Sequence, residues 1–101
     1  MRILMQLEIP HEPFNTLCRE GTVGQVIGRC LEETRPESIY FTEQDGHRGA
    51  LAVYNMKDDS QVAVICEPWF LALNADVRIR IAMTPEDLGK AGLENAGKKW
   101  S

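Results

Sequence analysis

Residues 38–56, SIYFTEQDGHRGALAVYNM, decide the fold of this 101-residue chain. Residues 38–43 alternate, with Ile39 and Phe41 on one side and Ser38, Tyr40 and Thr42 on the other, which predicts a strand. Residues 50–56 predict a second strand, with Leu51 and Val53 on one side. Between these strands, Asp45-Gly46 is a dipeptide typical of a tight turn. The sequence therefore predicts a β-hairpin, and the segments on either side of it decide the fold in which that hairpin lies.

A strand and a helix are predicted on each side of the hairpin. Before it, residues 2–9 alternate with a period of two, and residues 14–34 place apolar side chains at intervals of three and four. After it, residues 58–74 repeat the helical spacing, although the ring of Pro68 is expected to kink or split that helix. Residues 76–83 then form the clearest alternating strand. The predicted order is therefore β-α-β-β-α-β.

This order is that of an α+β ferredoxin-like fold, βαββαβ, in which a four-stranded antiparallel sheet carries two helices on one face. Thr84 and Pro85 begin a short additional helix, and Gly92 ends it. We expect residues 1–92 to form a single domain and residues 93–101 to form a flexible C-terminal tail. Trp100 in that tail is either mobile or docked on a partner chain.

The two faces of the predicted sheet differ in character. One face is strongly apolar and is expected to pack under the helices; it consists of Ile3, Met5, Leu7, Ile39, Phe41, Leu51, Val53, Val77, Ile79 and Ile81. The other face mixes apolar, polar and charged side chains; it consists of Leu4, Gln6, Glu8, Ser38, Tyr40, Thr42, Ala52, Tyr54, Met56, Arg78 and Arg80. We call the side of the sheet on which this second set is expected to lie, away from the helices, the uncovered face.

Three interpretations of the uncovered face are open. It could be a plain solvated face, which antiparallel sheets tolerate, or it could stack on the same face of a second copy, since Tyr and Arg are enriched at interfaces. It could also bind RNA as an RNA recognition motif does. Residues 48–55 disfavour that third interpretation because they lack the base-stacking aromatic residue at all three of its positions. The net charge of −4 also disfavours nucleic acid as a partner.

The uncovered face supplies the candidate ligand-binding residues, which are Gln6, Tyr40, Tyr54, Arg78 and Arg80. The two arginines could clamp a carboxylate, or they could form ion pairs with Glu8 or with a partner subunit. His11 is the candidate proton carrier because imidazole titrates near neutral pH, and the alternative is a solvated loop histidine. His47 is expected to be solvated at the tip of the hairpin.

Three glycines, Gly21, Gly24 and Gly28, lie along one side of the first predicted helix. Each costs about 1 kcal/mol relative to alanine in a helix interior. Close packing of the helix on the sheet could offset that cost, or the missing side chains could leave a cleft for a small ligand. The sequence leaves both possibilities open.

The remaining composition indicates a cytoplasmic protein without metal or cofactor. Cys18, Cys30 and Cys66 are odd in number and widely spaced, so we expect buried free thiols rather than a disulfide framework or a zinc site. No apolar run approaches the length that crosses a membrane, and residues 1–9 do not resemble a signal peptide. No cofactor motif is present.

The element order and the mixed second face resemble the dimeric α/β-barrel superfamily over about residues 1–83. The segments PESIYF (36–41), EPWFL (67–71) and MTPEDL (83–88) are similar to those of small bacterial hypothetical proteins of that fold. The resemblance implies a homodimer with stacked sheets, and no catalytic motif of those families can be transferred to these residues. We expect a homodimer that binds a small metabolite. The alternatives are a cofactor-free isomerase or monooxygenase acting on a small aromatic or anionic substrate, and a structural dimer or adaptor without a ligand.

Overall fold

A computed structural model describes residues 1–101 of the protein. Its elements are β1 (Arg2–Ile9), α1 (His11–Glu20), α2 (Val23–Thr34), β2 (Ser38–Gln44), β3 (His47–Asn55), α3 (Gln61–Leu73), β4 (Asp76–Ala82), α4 (Pro85–Gly89) and α5 (Leu93–Lys99). The four strands form one antiparallel sheet in the order β2-β3-β1-β4. This is the ferredoxin-like arrangement, so the predicted fold class is confirmed. Helices α1, α2 and α3 cover one face of the sheet.

The hairpin forms with its turn at Asp45-Gly46 as predicted, but the loop is shorter than the sequence indicates, because β3 begins at His47 and not at Ala50. Gln44 pairs with His47 across a two-residue loop, and both loop residues have positive φ, 51° at Asp45 and 82° at Gly46. Positive φ at both loop residues is typical of a type I′ turn, whose twist matches that of the two strands it joins.

The helices differ from the prediction in four places, the first of which is that α4 ends at Gly89 and not at Gly92. The helix expected over residues 14–34 is two helices, because Gly21 adopts φ 75° and its N–H donates to the Cys18 carbonyl, which ends α1. Helix α3 runs through Pro68 without being split. The segment expected to be a loose tail contains α5, which spans Leu93–Lys99.

The facing of β3 also differs from the prediction. Tyr54 lies opposite Ile3, and Ala52 lies opposite Met5, so both point toward the helices, and each is almost fully buried. Leu51 and the remaining odd-numbered residues of β3 therefore lie on the uncovered face. Apolar side chains occur at both parities in this strand, so the alternation could not decide its facing, and a shift of one residue exchanges the two faces.

A chain of hydrogen bonds joins the buried polar groups beneath the helices. Trp69 Nε1 donates to Tyr54 Oη at 3.3 Å, and Tyr54 Oη lies 2.8 Å from Thr34 Oγ1. The Thr34 hydroxyl donates to the Cys30 carbonyl at 2.8 Å, so it accepts the proton of Tyr54. The chain links β3 to α2 and α3 and satisfies each of these polar groups.

The C-terminal segment projects away from the rest of the molecule. We call residues 83–101, which contain α4 and α5, the C-terminal arm; neither helix has a buried residue. The longest dimension of the molecule is 60 Å, whereas strands of this length span only about 30 Å. The arm therefore accounts for much of the elongation.

Candidate functional site

The uncovered face brings four of the five predicted ligand-binding residues together. One row across the sheet consists of Arg78 on β4, Gln6 on β1, Leu51 on β3 and Tyr40 on β2. Arg80 lies in the adjacent row, two residues along β4. Since neighbouring strands are about 4.8 Å apart, the row is about 15 Å wide.

The middle of this face is apolar and its side chains are incompletely covered. Leu4 pairs with Val53 in the row that contains Arg80, and both side chains are half-buried. Leu51 is 42% exposed and Tyr40 is 73% exposed. A wide apolar strip thus lies between the arginines at one edge of the sheet and Tyr40 at the other.

The two arginines have no acidic partner within the chain. The ion pairs of the protein join Arg2 to Glu37 and Arg19 to Glu12. The predicted pairing of Arg78 or Arg80 with Glu8 is therefore wrong for a single copy. In a chain with 15 acidic and 11 basic residues, two neighbouring unpaired arginines are available to an external anion.

The adjacent row on the other side of Arg78 is acidic. Glu8 on β1 lies directly opposite Asp76 on β4. Like charges in that position destabilise a sheet pair. The uncovered face therefore has an acidic row at one end and a basic edge along the rest of β4.

Tyr54, the fifth predicted ligand-binding residue, is absent from this face. It is 2% exposed on the helix side of the sheet, and burial raises the pKa of its phenol. Its prediction as a residue of the uncovered face is wrong, because it followed from the inverted facing of β3. In the core, the Tyr54 hydroxyl forms hydrogen bonds with Thr34 and Trp69.

His11 and His47 form a separate cluster. Their ring centroids are 4.7 Å apart with an interplanar angle of 34°. Next to them, Arg48 donates to Asn15 Oδ1 at 2.8 Å and lies 4.3 Å from the ring centroid of Phe14. The prediction that His47 is solvated is wrong, since the residue is half-buried and its Nδ1 is buried without a hydrogen-bond partner.

The cluster of His11 and His47 lies apart from the row that contains Arg78, Gln6 and Tyr40. His11 begins α1, directly after the end of β1. It is beyond the acidic row, and about 10 Å of strand separates Gln6 from Ile9. The fold therefore does not bring the candidate proton carrier into the row of Gln6 and Tyr40. No group of three His, Cys, Asp or Glu side chains is placed to hold a metal ion.

The fold also creates a groove that the sequence did not predict. The helix groove, as we name it, lies between α1, α2 and α3 and has a volume of about 640 Å³. Its apolar lining includes Leu17, Val26, Val64 and Leu71, and its charged lining consists of Arg29, Glu33 and Glu67. The sequence of α3 could have predicted this groove, since Gln61 and Glu67 are the only polar residues of the helix. A helix that is apolar on its outer side as well as its inner side is normally covered on both.

Neither of the two alternatives for Gly21, Gly24 and Gly28, close packing on the sheet or a ligand cleft, holds in the structure. Gly24 and Gly28 are exposed on α2, and a Cβ added at either would meet no atom within 4 Å. They neither pack against the sheet nor line a cleft between helix and sheet. Gly21 has a separate role in ending α1.

The thiols divide into two classes. Cys30 and Cys66 are buried as predicted, and burial raises the pKa of both thiols. Cys18 is exposed on α1, so the prediction that all three are buried is wrong for this residue.

No protein-family model and no curated protein sequence matches the chain. Among solved structures, the chain is similar to a de novo designed protein, Ferredog-Diesel, with 13% sequence identity and a TM-score of 0.46; the match covers 80% of this chain and 85% of that chain. None of the helices is both long enough and apolar enough to cross a lipid bilayer.

Proposed function

We propose that the protein is a homodimer in which two uncovered faces stack and enclose a site for a small carboxylate metabolite. The observation that supports this most directly is the pair of arginines without an acidic partner, Arg78 and Arg80, beside an incompletely covered apolar strip. Sheets that stack face to face lie about 10 Å apart, which leaves space for side chains and a small ligand between them.

The charge pattern supports stacking of identical copies. A two-fold axis places the same patch on both copies, so each must complement itself. In such a stack the acidic row of one copy, Glu8 and Asp76, can lie beside the arginines of the other. Each guanidinium has five N–H donors, so it can contact a carboxylate of the partner and still bind a ligand. The exposed parts of Leu51 and Tyr40 would then be buried, which removes apolar surface from water.

The chemistry of the row indicates the class of ligand. Arg78 and Arg80 lie two residues apart on one face, about 7 Å between their Cα atoms. Guanidinium groups bind carboxylates in a bidentate manner. The Gln6 amide can donate and accept hydrogen bonds, and Tyr40 offers a ring. We therefore propose a small carboxylate with an apolar or aromatic body.

Binding without turnover accounts best for these positions. The candidate proton carrier, His11, lies beyond the acidic row, and the row of Gln6 and Tyr40 contains no other imidazole. The proposed protein is thus a binding protein rather than an isomerase or a monooxygenase.

The oligomeric part of the proposal is tested by native mass spectrometry on freshly purified protein, which reads subunit number and retained mass together. Leu51→Lys places a charge in the middle of the stacked faces and should weaken the association of the subunits, so that monomers persist to a higher protein concentration than in the wild type. Val62→Lys is the matched control, because Val62 is exposed on α3, on the other side of the sheet. Wild-type protein that stays monomeric at high concentration would refute the stacked dimer.

The ligand part is tested with benzoate as a small aromatic carboxylate. Benzoate should raise the Tm of the wild type and of Arg29→Gln, an exposed arginine on the helix side. It should have no effect on the double variant Arg78→Gln/Arg80→Gln, since binding to the folded state alone raises stability. An equal shift in all three proteins would place the anion elsewhere.

A further inference from the structure

Much of the outer side of α3 is apolar, and it is uncovered in a single copy. Leu71 is 82% exposed and Val64 is 60% exposed, and both line the helix groove. Large neighbouring apolar side chains in water indicate a binding surface. The groove also contains two acidic side chains, Glu33 and Glu67, and one basic side chain, Arg29, so acidic groups outnumber basic ones in its lining.

The C-terminal arm needs a surface on which to dock. Its helices have 5 and 7 residues, whereas isolated helices shorter than about 12 residues are marginal in water. Neither helix has a buried residue. Leu88 is 46% exposed, Leu93 is 55% exposed and Trp100 is 83% exposed. Contact with another surface would stabilise both helices and cover these side chains.

Helix α5 matches the groove in polarity and in charge. Leu93, Ala96 and Trp100 follow a spacing of three and four residues, so they lie along one side of the helix. Lys98 and Lys99 are in its last turn. An apolar side flanked by two lysines complements an apolar groove that contains two carboxylates.

We propose that the C-terminal arm of one copy docks in the helix groove of a second copy. The Trp100 side of α5 packs on the apolar lining, and Lys98 and Lys99 face Glu33 and Glu67. Charged pairs at the rim set the orientation and the rate of association, and the buried aromatic side chain provides most of the affinity.

The direction in which the arm leaves the domain favours a second copy over the chain's own groove. Thr84 begins α4 with a capping box: its backbone N–H donates to Asp87 Oδ2, and the Asp87 N–H donates to Thr84 Oγ1, each at 3.1 Å. These bonds fix the first turn of α4, and the 60 Å length of the molecule indicates that the arm extends away from the domain. To enter its own groove the arm would have to reverse that direction.

This contact is separate from the proposed stacking of sheets. The helix groove and the uncovered face are on opposite sides of the sheet, so both contacts can form in one assembly. If each copy gives its arm to the other, the exchange closes a two-fold dimer. Leu51→Lys should abolish stacking and leave the docked arm in place, so the two proposals fail independently.

A zero-length carbodiimide cross-linker, which joins lysines to carboxylates in contact, tests the pairing. An equal mixture of unlabelled and ¹⁵N-labelled full-length protein is cross-linked and digested. We expect cross-linked pairs of peptides that join Lys98 or Lys99 to Glu33 or Glu67. In some of these pairs one peptide should be ¹⁵N-labelled and the other unlabelled. Cross-linked peptides that never mix labels would mean that the arm folds back on its own chain, which would overturn the proposal.

Tryptophan quenching provides a second readout. The chain has two tryptophans, and Trp69 is fully buried, so acrylamide reports mainly on Trp100. In the wild type, protection of Trp100 should increase with protein concentration. Leu71→Lys should raise the concentration needed for protection at least about tenfold, and Val62→Lys, which lies outside the groove on the same helix, should leave it unchanged. Equal quenching in Leu71→Lys and wild type at every concentration would also overturn the proposal.

Discussion

Replacing Tyr54 with phenylalanine removes one oxygen from the hydrogen-bonded chain in the core. Trp69 Nε1, 3.3 Å from that oxygen, is a donor only, and Trp69 is fully buried. Water therefore cannot replace the lost acceptor. A buried donor without a partner costs about 1–3 kcal/mol. The bond between Tyr54 and Thr34 is lost as well, although the Thr34 hydroxyl keeps its bond to the Cys30 carbonyl.

We expect Tyr54→Phe to lower the free energy of unfolding by about 2 kcal/mol. With a urea m-value of about 1–3 kcal/mol per molar, the unfolding midpoint should fall by about 1 M. The assay is urea unfolding followed by circular dichroism at one fixed protein concentration, because association would also move the midpoint.

Tyr40→Phe makes the same chemical change on the uncovered face and is the matched control. Tyr40 is 73% exposed in a single copy, so at a protein concentration low enough to keep the chain monomeric we expect a change within about 0.5 kcal/mol. The reasoning is refuted if Tyr54→Phe is as stable as the wild type. A larger loss in Tyr40→Phe than in Tyr54→Phe would contradict the facing of β3 itself.

Two further predictions concern the backbone and the thiols. Gly28→Ala should raise the free energy of unfolding by about 0.5–1 kcal/mol, because the added Cβ meets no atom within 4 Å. Gly49→Ala should lower the free energy of unfolding, because the added Cβ would lie 2.7 Å from the Leu7 carbonyl oxygen. Thermal unfolding of both variants measures these opposite effects. Burial raises the pKa of the Cys30 and Cys66 thiols, so above about pH 8.5 the unfolded chain loses thiol protons that the folded chain keeps. Stability from this source should be complete below that pH and fall as the pH rises, less so in Cys66→Ala, as urea midpoints at pH 7 and pH 9.5 would show.

The candidate site was partly predictable because three of its strands have an unambiguous alternation. Gln6, Tyr40, Arg78 and Arg80 follow from period-two patterns in β1, β2 and β4, and pairing across the sheet brings them together. Tyr54 could not be placed in this way, because β3 has apolar residues at both parities. The buried hydroxyl needs Thr34 and Trp69, which come from two different helices, so its position depends on packing that no local pattern contains.

The sequence by itself determined the order of the elements, the hairpin turn at Asp45-Gly46 and the cap at Thr84, because each depends on residues that are neighbours along the chain. Only the tertiary structure decided which face of β3 is buried, that Gly21 divides the first helix, that His11 and His47 are in contact, and that the arm and the helix groove are both uncovered. The physical reason is that facing and exposure are set by the packing of segments far apart in the sequence. The free energy of that packing is a property of the assembled core and not of any one segment.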